Sequence, residues 1–185
     1  MSMLLSENKL SVLLEEIAQQ KLPPIAQWDP PLNGHSQMEI KRDGSWWHQG
    51  GEIHKLSLIK LFSHILRKEG DKYFLVTPVE KQEITVEDAP FVVTAMQTYQ
   101  AGSSLPPIIA FTINTGEQFI LDKKHPLEIK SGVPYAVVRE QLAARLDTSV
   151  YYECVAMAQA EEKGANTQWW LYSGEYRALL GEENN

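Results

Sequence analysis

The sequence predicts an α+β chain made of two repeated sheet-plus-helix units with mostly antiparallel strands. Three observations lead there. Residues 73–91, YFLVTPVEKQEITVEDAPF, alternate runs of β-forming residues with turn signals at Pro78 and at Asp88-Ala89-Pro90, the pattern of a meander. Two stretches of helical spacing, residues 55–68 and 148–163, interrupt the strand-forming runs. Finally, the order strand, helix, glycine, strand occurs twice: residues 45–48, 55–68, Gly70 and 73–77 answer to residues 135–138, 148–163, Gly164 and 168–172. The residues themselves barely match, so the repeat lies in the order of elements.

Each element follows from local chemistry. Leu10, Leu13, Leu14 and Ile17 recur at helical spacing over residues 9–20, with Glu15 and Glu16 on the other side, and Pro23-Pro24 ends that helix. Residues 25–34 hold too much proline for a helix or a central strand and predict an extended strap anchored on the core by Trp28. Met38 to Ile40 and Ser45 to His48 flank Asp43-Gly44, a dipeptide suited to the positive φ angles of a two-residue hairpin turn. Gly50-Gly51 then separates strand from helix. Leu58, Ile59, Leu61, Phe62, Ile65 and Leu66 predict a helix over 55–68 that stops at Gly70. The meander follows, with strands at 73–77, 82–87 and 91–96.

Residues 101–107, with Gly102, Pro106 and Pro107, read as a loop between the halves. Strands are predicted at 108–113 and 118–121 around Asn114-Thr115-Gly116, and again at 127–129 and 135–138. Residues 150–155 are strand-like in composition, yet Val150, Cys154, Met157 and Ala158 keep helical spacing. With Thr148 or Ser149 as cap and Gly164 as stop, length favours a helix over 148–163. Residues 169–172 and 176–180 close the chain as a hairpin around Ser173-Gly174. The expected organisation is a helix and strap over 1–37, a first repeat over 38–100 and a second over 101–185.

A chain of 185 residues, 43% hydrophobic, buries a core of its own without staples. Its net charge of -7 disfavours nucleic-acid polymers and anionic membranes as partners. The charge is uneven, however: Lys41, Arg42, Lys55, Lys60, Arg67, Lys68 and Lys72 lie in the first half and glutamates crowd the end, which leaves room for a local basic pocket. The single cysteine, Cys154, excludes an internal disulfide. No apolar run approaches the roughly 20 residues of a membrane span, and the first five residues lack the apolar core of a secretory signal. A cytoplasmic protein is expected.

Candidate functional residues are few, and each has a plain structural reading beside the functional one. Trp46-Trp47-His48-Gln49-Gly50-Gly51 would lead from strand to helix, where free N–H groups could cradle an anion, or it is a glycine turn with Trp47 in the core. Thr77, Glu80 and Lys81 sit on the tip of the meander, as ligands or as a solvated turn. No histidine pair has the spacing of a helical zinc site, and Cys154 reads as buried and unreactive.

The run Trp47-His48-Gln49-Gly50-Gly51-x-Ile53, then Leu61-Phe62 and Leu66-Arg67, then Tyr73-x-Leu75-Val76-Thr77-Pro78-Val79-Glu80-Lys81, then Ile84-x-Val86-x-Asp88-Ala89-Pro90-Phe91, resembles a bacterial family known as domain of unknown function 1285. Leu22-Pro23-Pro24, Trp28-x-Pro30, Gly34, Asn114-x-Gly116-Glu117 and His125-Pro126-Leu127 are similar to its pattern as well. Glu140-Gln141 departs from it, since relatives carry small residues or glycine there. The resemblance implies a duplicated α+β architecture with a pleckstrin-homology-like C-terminal half, a small-ligand site between the halves and a role in signal transduction. It implies a small, nucleotide-like ligand; an anionic molecule is expected beside it, and no cofactor.

The leading expectation is a non-catalytic ligand-binding or sensor module. Lys55, Lys81 and Arg139 would supply charge, Trp47 a stacking face, and His48, Thr77 and Glu80 hydrogen bonds. Two alternatives belong to other classes: an enzyme using His48 with Glu80 or Asp88, and a protein-interaction module that uses a sheet edge; a signalling protein is the expected macromolecular partner.

Overall fold

In the computed structural model, which describes residues 2–100 and 104–184, the chain divides into two compact units, Lys21–Phe91 and Met1–Gln20 with Val92–Asn185. The first helix, α1 (Ser2–Gln19), thus counts with the second unit, and Leu13 is its buried anchor. The strap counts with the first unit. Of the expected inter-repeat loop, residues 101–103 lie outside the described residues.

In the first unit, β1 (Leu32–Ile40), β2 (Trp46–His48) and β3 (Gly51–Glu52) form one meander. After α2 (Leu56–His64), β4 (Leu66–Glu69), β5 (Lys72–Val76) and β6 (Lys81–Val86) form a second. The first and last strands then pair in parallel, giving one six-stranded sheet of order β3-β2-β1-β6-β5-β4. Ile40, Trp46, Leu66 and Val76 are fully buried in its core, and the Trp46 ring stacks on Phe62 at 6.1 Å, tying β2 to α2.

Several expectations are corrected here. The helix stops at His64 rather than Lys68, because Leu66–Glu69 pair with Leu75 to Lys72; Gly70 (φ 59) is the first central residue of that hairpin turn and not a helix cap. The Asp43-Gly44 turn is a three-residue loop, with Gly44 at φ 84 and the Asp43 carboxylate accepting from both the N–H (2.9 Å) and the hydroxyl (2.6 Å) of Ser45. The true two-residue turn lies between β2 and β3, where Gln49 (φ 51) and Gly50 (φ 79) both take positive φ. The strap enters β1 already at Leu32; Ile25, rather than the half-buried Trp28, is its buried anchor.

The third strand of the expected meander leaves the first sheet. It is β7 (Phe91–Tyr99), a central strand of the second unit, which continues with β8 (Ile108–Ile113), β9 (Gln118–Ile120), β10 (Leu127–Lys130), β11 (Val133–Arg139) and β12 (Leu142–Leu146) in the order β10-β11-β12-β7-β8-β9. The strand β12, LAARL, was not expected. Its residues favour helix, but pairing with β11 on one side and β7 on the other overrides propensity. The helix α3 (Thr148–Met157) is again shorter than expected. The rest of the predicted stretch is β13 (Gln159–Lys163), which pairs with β14 (Asn166–Ser173) and through it with β15 (Tyr176–Asn184).

The duplication is therefore a seven-element order: meander, helix, meander. β1-β2-β3-α2-β4-β5-β6 answers to β10-β11-β12-α3-β13-β14-β15, with β7, β8 and β9 placed before the second copy. Gly164 (φ 66) starts the β13–β14 turn as Gly70 starts the β4–β5 turn. The fold is α+β, with two six-stranded sheets whose strands are mostly antiparallel and a separate three-stranded sheet, β13-β14-β15, so that the second copy of the repeat is divided between two sheets; the curled second sheet agrees with a pleckstrin-homology-like half.

The Gln49-Gly50 turn gives a test of opposite signs. A non-glycine side chain in the left-handed region costs about 1–2 kcal/mol, a cost that asparagine largely escapes. Gln49→Asn is expected to stabilise the chain by about 0.5 kcal/mol, and Gly50→Ala, with no neighbour within 4 Å of the added methyl, to destabilise it by about 1 kcal/mol in urea unfolding.

Candidate functional site

The residues expected to bind a ligand form two groups in the first unit and one outlier in the second. Trp47 is half-buried on β2 and donates its indole N–H to the Ser45 hydroxyl at 2.9 Å; its neighbour Trp46 is the core tryptophan. His48 and Lys55 are exposed, and Lys55 precedes α2, its carbonyl accepting from Leu58 and Ile59. The glycines after His48 form a hairpin turn rather than a strand-to-helix cradle.

Thr77 and Glu80 close the β5–β6 loop on themselves. The Thr77 hydroxyl donates to the Glu80 carbonyl and accepts its N–H at 3.2 Å, a turn motif complete without a ligand. His48 pairs opposite Met38 and Lys81 opposite Leu32, six residues along β1, which separates His48 from the Glu80 loop by roughly 20 Å at about 3.3 Å per residue. Asp88 follows β6, with β1 between it and β2, two strand spacings or about 10 Å away. No acid–base pair with His48 converges.

Two of the three positive charges expected to meet an anion, Lys81 and Arg139, meet carboxylates of their own unit. Lys81, 16% exposed, lies 3.1 Å from Glu69 and 5.1 Å over the Phe74 ring. Glu69 also accepts from Arg67, whose guanidinium reaches across to the strap and donates to the carbonyls of Ile25 (3.1 Å) and Trp28 (2.7 Å). Burial works against the Glu69 carboxylate, but the hydrogen bonds and charges of Lys81 and Arg67 outweigh it and hold its pKa below the usual range. Arg67, which stands in the sequence as part of a basic run and of the family motif, is thus the latch of the strap. In the second unit Arg139 is paired with Glu117, both largely buried.

A pocket of about 260 Å³ opens in the second unit, where the β10–β11 turn and the end of β12 meet the first turns of α3. Val133, Pro134 and Leu146 give it apolar walls, and Arg145, Thr148, Tyr151 and Tyr152 supply charge, a hydroxyl and two rings 5.8 Å apart. Strand pairing explains the arrangement. Arg145 lies opposite Tyr135, which lies opposite Glu128, so these three share one sheet face, and the Lys130 ammonium sits 5.6 Å over the Tyr135 ring. The turn that forms the pocket's lip, Ser131-Gly132, has positive φ at both residues (51 and 77). None of the pocket residues was expected. Arg145 sits on the unpredicted strand β12, and the signal that could have found it was the pair of turn sites at Ser131-Gly132 and Glu140-Gln141, which bracket one strand and imply a partner on either side.

Comparison with known proteins decides the family. The model of the domain of unknown function DUF1285, N-terminal domain, matches residues 23–89, and that of the protein of unknown function DUF1285, C-terminal domain, matches residues 90–177. The chain belongs to the DUF1285 family. The crystal structure of a DUF1285 family protein from Silicibacter pomeroyi DSS-3 is similar at 30% identity and a TM-score of 0.75, over 91% of this chain and 94% of that one. A DUF1285 family protein from Shewanella baltica OS155 is similar at 28% identity and a TM-score of 0.55, over 65% of this chain and 91% of that one. No curated protein matches. The boundary between the two DUF1285 models, at 89/90, falls beside the boundary between the compact units.

Two further reactive side chains of this DUF1285 chain, His125 and Cys154, are held by their neighbours. His125 is held by the Val137 carbonyl at 3.2 Å and packs on Phe119. Burial, with Glu153 nearby, pushes the Cys154 thiol up to about 12, and its sulfur lies 3.7 Å from that of Met96. Among the described residues no group of three or more His, Cys, Asp or Glu could hold a metal ion, and no helix is long and apolar enough to cross a membrane.

The latch has a pH signature. A carboxylate whose pKa is depressed by folding adds stability above its ordinary value, here 4.5, and that stability is lost as the pH falls through the lowered folded value. Unfolding in urea at pH 7 and at pH 3.5 is expected to show a smaller pH difference in Glu69→Gln than in the parent. Arg67→Met should cost about 2 kcal/mol at neutral pH and expose residues 21–31 to limited proteolysis.

Proposed function

We infer that the chain is a non-catalytic module that binds a small, anionic ligand and transmits its presence to a signalling partner. The observation that carries this reading is the pocket beside α3, the place where a cation, two phenol rings and apolar walls converge. At about 260 Å³ it lies just below the range of roughly 300–1,000 Å³ typical of drug-sized ligands, which favours a nucleotide-like molecule of one ring system, or a smaller one, over a dinucleotide. The cation that lines this pocket is Arg145, whereas Lys81 and Arg139 lie beside Glu69 and Glu117 of their own units.

A sheet-edge interaction carries less. Among the described residues β13 is an outer strand exposed along its whole length, but Glu161, Glu162 and Lys163 give it the charged character that guards an edge rather than an apolar groove that receives a peptide.

Thermal unfolding against nucleotides, sugar phosphates, small acids and metal ions tests the reading, because a ligand that binds only the folded state raises its stability by RT ln(1 + [L]/Kd). At least one phosphorylated or carboxylated compound is expected to raise the midpoint, by about 2.7 kcal/mol of stability at a hundredfold excess over Kd. A shift abolished by Lys81→Ala or Arg139→Ala would return the site to the residues expected from sequence. The absence of any shift would move the function to a protein partner.

A further inference from the structure

The apolar residues of α2 divide between two environments. Phe62 packs inward on Trp46, beside the buried Ser63. Leu56 and Leu61 point outward, 50% and 57% exposed, and Lys55, Ser57 and Lys60 are exposed with them. At about 3.6 residues per turn, residues four apart line up as ridges, so the outward face consists of two short ridges, Leu56-Lys60 and Ser57-Leu61, with a groove between them. Ser57, the small member of the set, leaves that groove open where a side chain from a second helix would enter.

Exposed leucines standing singly need no explanation, and these two by themselves name no occupant. The charge around them does. Residues 53–68 hold Lys55, Lys60, Arg67 and Lys68 and not one acidic residue, in a chain with 24 of them. The carboxylates that bracket this run are engaged: Glu52 lies 3.6 Å from His54, and Glu69 accepts from Arg67 and Lys81. Lys41 and Lys72 of the same unit meet carboxylates too, whereas among the described residues Lys55 and Lys60 meet none. Each of these two ammonium groups stands next to an exposed leucine, and the complement of that face is acidic and apolar at once. We propose that the outward face of α2 docks an acidic amphipathic helix of a partner protein, with an aliphatic side chain of that helix in the groove and its carboxylates on Lys55 and Lys60. The two lysines are five residues apart, about 7.5 Å at the helical rise, a spacing that carboxylates four or five residues apart on the incoming helix reproduce. A second copy offering its own α2 would set lysine against lysine, and a net charge of -7 opposes an anionic bilayer. The surface goes beyond the ligand-binding reading and does not rest on the pocket.

Fluorescence anisotropy of labelled peptides titrated with the full chain tests this. The probe is an alanine-based helical peptide of about 18 residues with leucines at every third or fourth position and glutamates beside them; its control carries lysine for every glutamate. The acidic peptide is expected to bind one to one and the basic one at least about tenfold more weakly, with binding of the first falling as salt rises from about 0.05 to about 0.5 M. Lys60→Glu and Leu61→Ser, both at exposed positions, should each weaken it about tenfold while leaving the urea midpoint close to that of the parent. Val79→Ser, at an apolar side chain 77% exposed on the β5–β6 loop, should leave it unchanged. Equal binding of the two peptides, binding of neither, or binding that survives Lys60→Glu combined with Leu61→Ser overturns the proposal. So does self-association of the chain that Leu61→Ser abolishes, which would give the face to a second copy, and so does sedimentation with phosphatidylglycerol vesicles without peptide binding, which would give it to a membrane. A thermal shift with a small ligand but no peptide binding removes this surface and leaves the ligand-binding reading standing; peptide binding without any thermal shift does the reverse.

Discussion

Each repeat depends on a helix that runs almost without a break into a strand. Only Ile65 separates α2 from β4, and only Ala158 separates α3 from β13. With one joining residue the helix cannot turn independently of the meander that follows it, so packing the helix fixes that meander, and the turn glycines Gly70 and Gly164 then fold the meander back. In the first unit the consequence is a joined sheet: β6 returns beside β1, and their parallel pairing at the centre unites the two meanders through strands far apart in sequence. Arg67, on the strand fed by α2, reaches from this frame to hold the strap that leads into β1.

Much of this order was legible. The repeat, the α1 stripe, the β8–β9 and β14–β15 hairpins and the β5–β6 pairing all follow from short-range signals that tertiary structure left in place. What failed was the end of α2 and of α3. Leu66 stands four residues after Phe62, so helical spacing continues past the point where the backbone has become extended, and a glycine that would cap a helix serves equally at a hairpin turn. Only pairing with Leu75 to Lys72, seen in three dimensions, separates the two. The strand β12 failed for the opposite reason, since its leucines, alanines and arginine carry helix preference and its strand form is imposed by the neighbours on both sides.

The site was less legible than the fold. Charged residues at a turn look available in a sequence, and Lys81 and Arg139 look alike there, yet each faces a carboxylate that is distant in the chain: Glu69 twelve residues away, Glu117 twenty-two. Arg145 was hidden in a strand whose composition favours helix, and Tyr151 and Tyr152 lay in a stretch where strand and helix patterns competed. Family similarity raises the fold from expectation to finding but brings no activity with it, so function rests on the chemistry of the pocket alone.

The most direct measurement of the central claim, that the pocket beside α3 is the ligand site, is a map of backbone amide chemical shifts during titration with phenyl phosphate or benzoate. The account predicts that the perturbed amides cluster at Gly132-Val133 and from Arg145 to Tyr152, with Trp46 and Phe62 silent. Perturbations gathered instead around Trp47, His48 and Lys81, or spread evenly over both units, would contradict it.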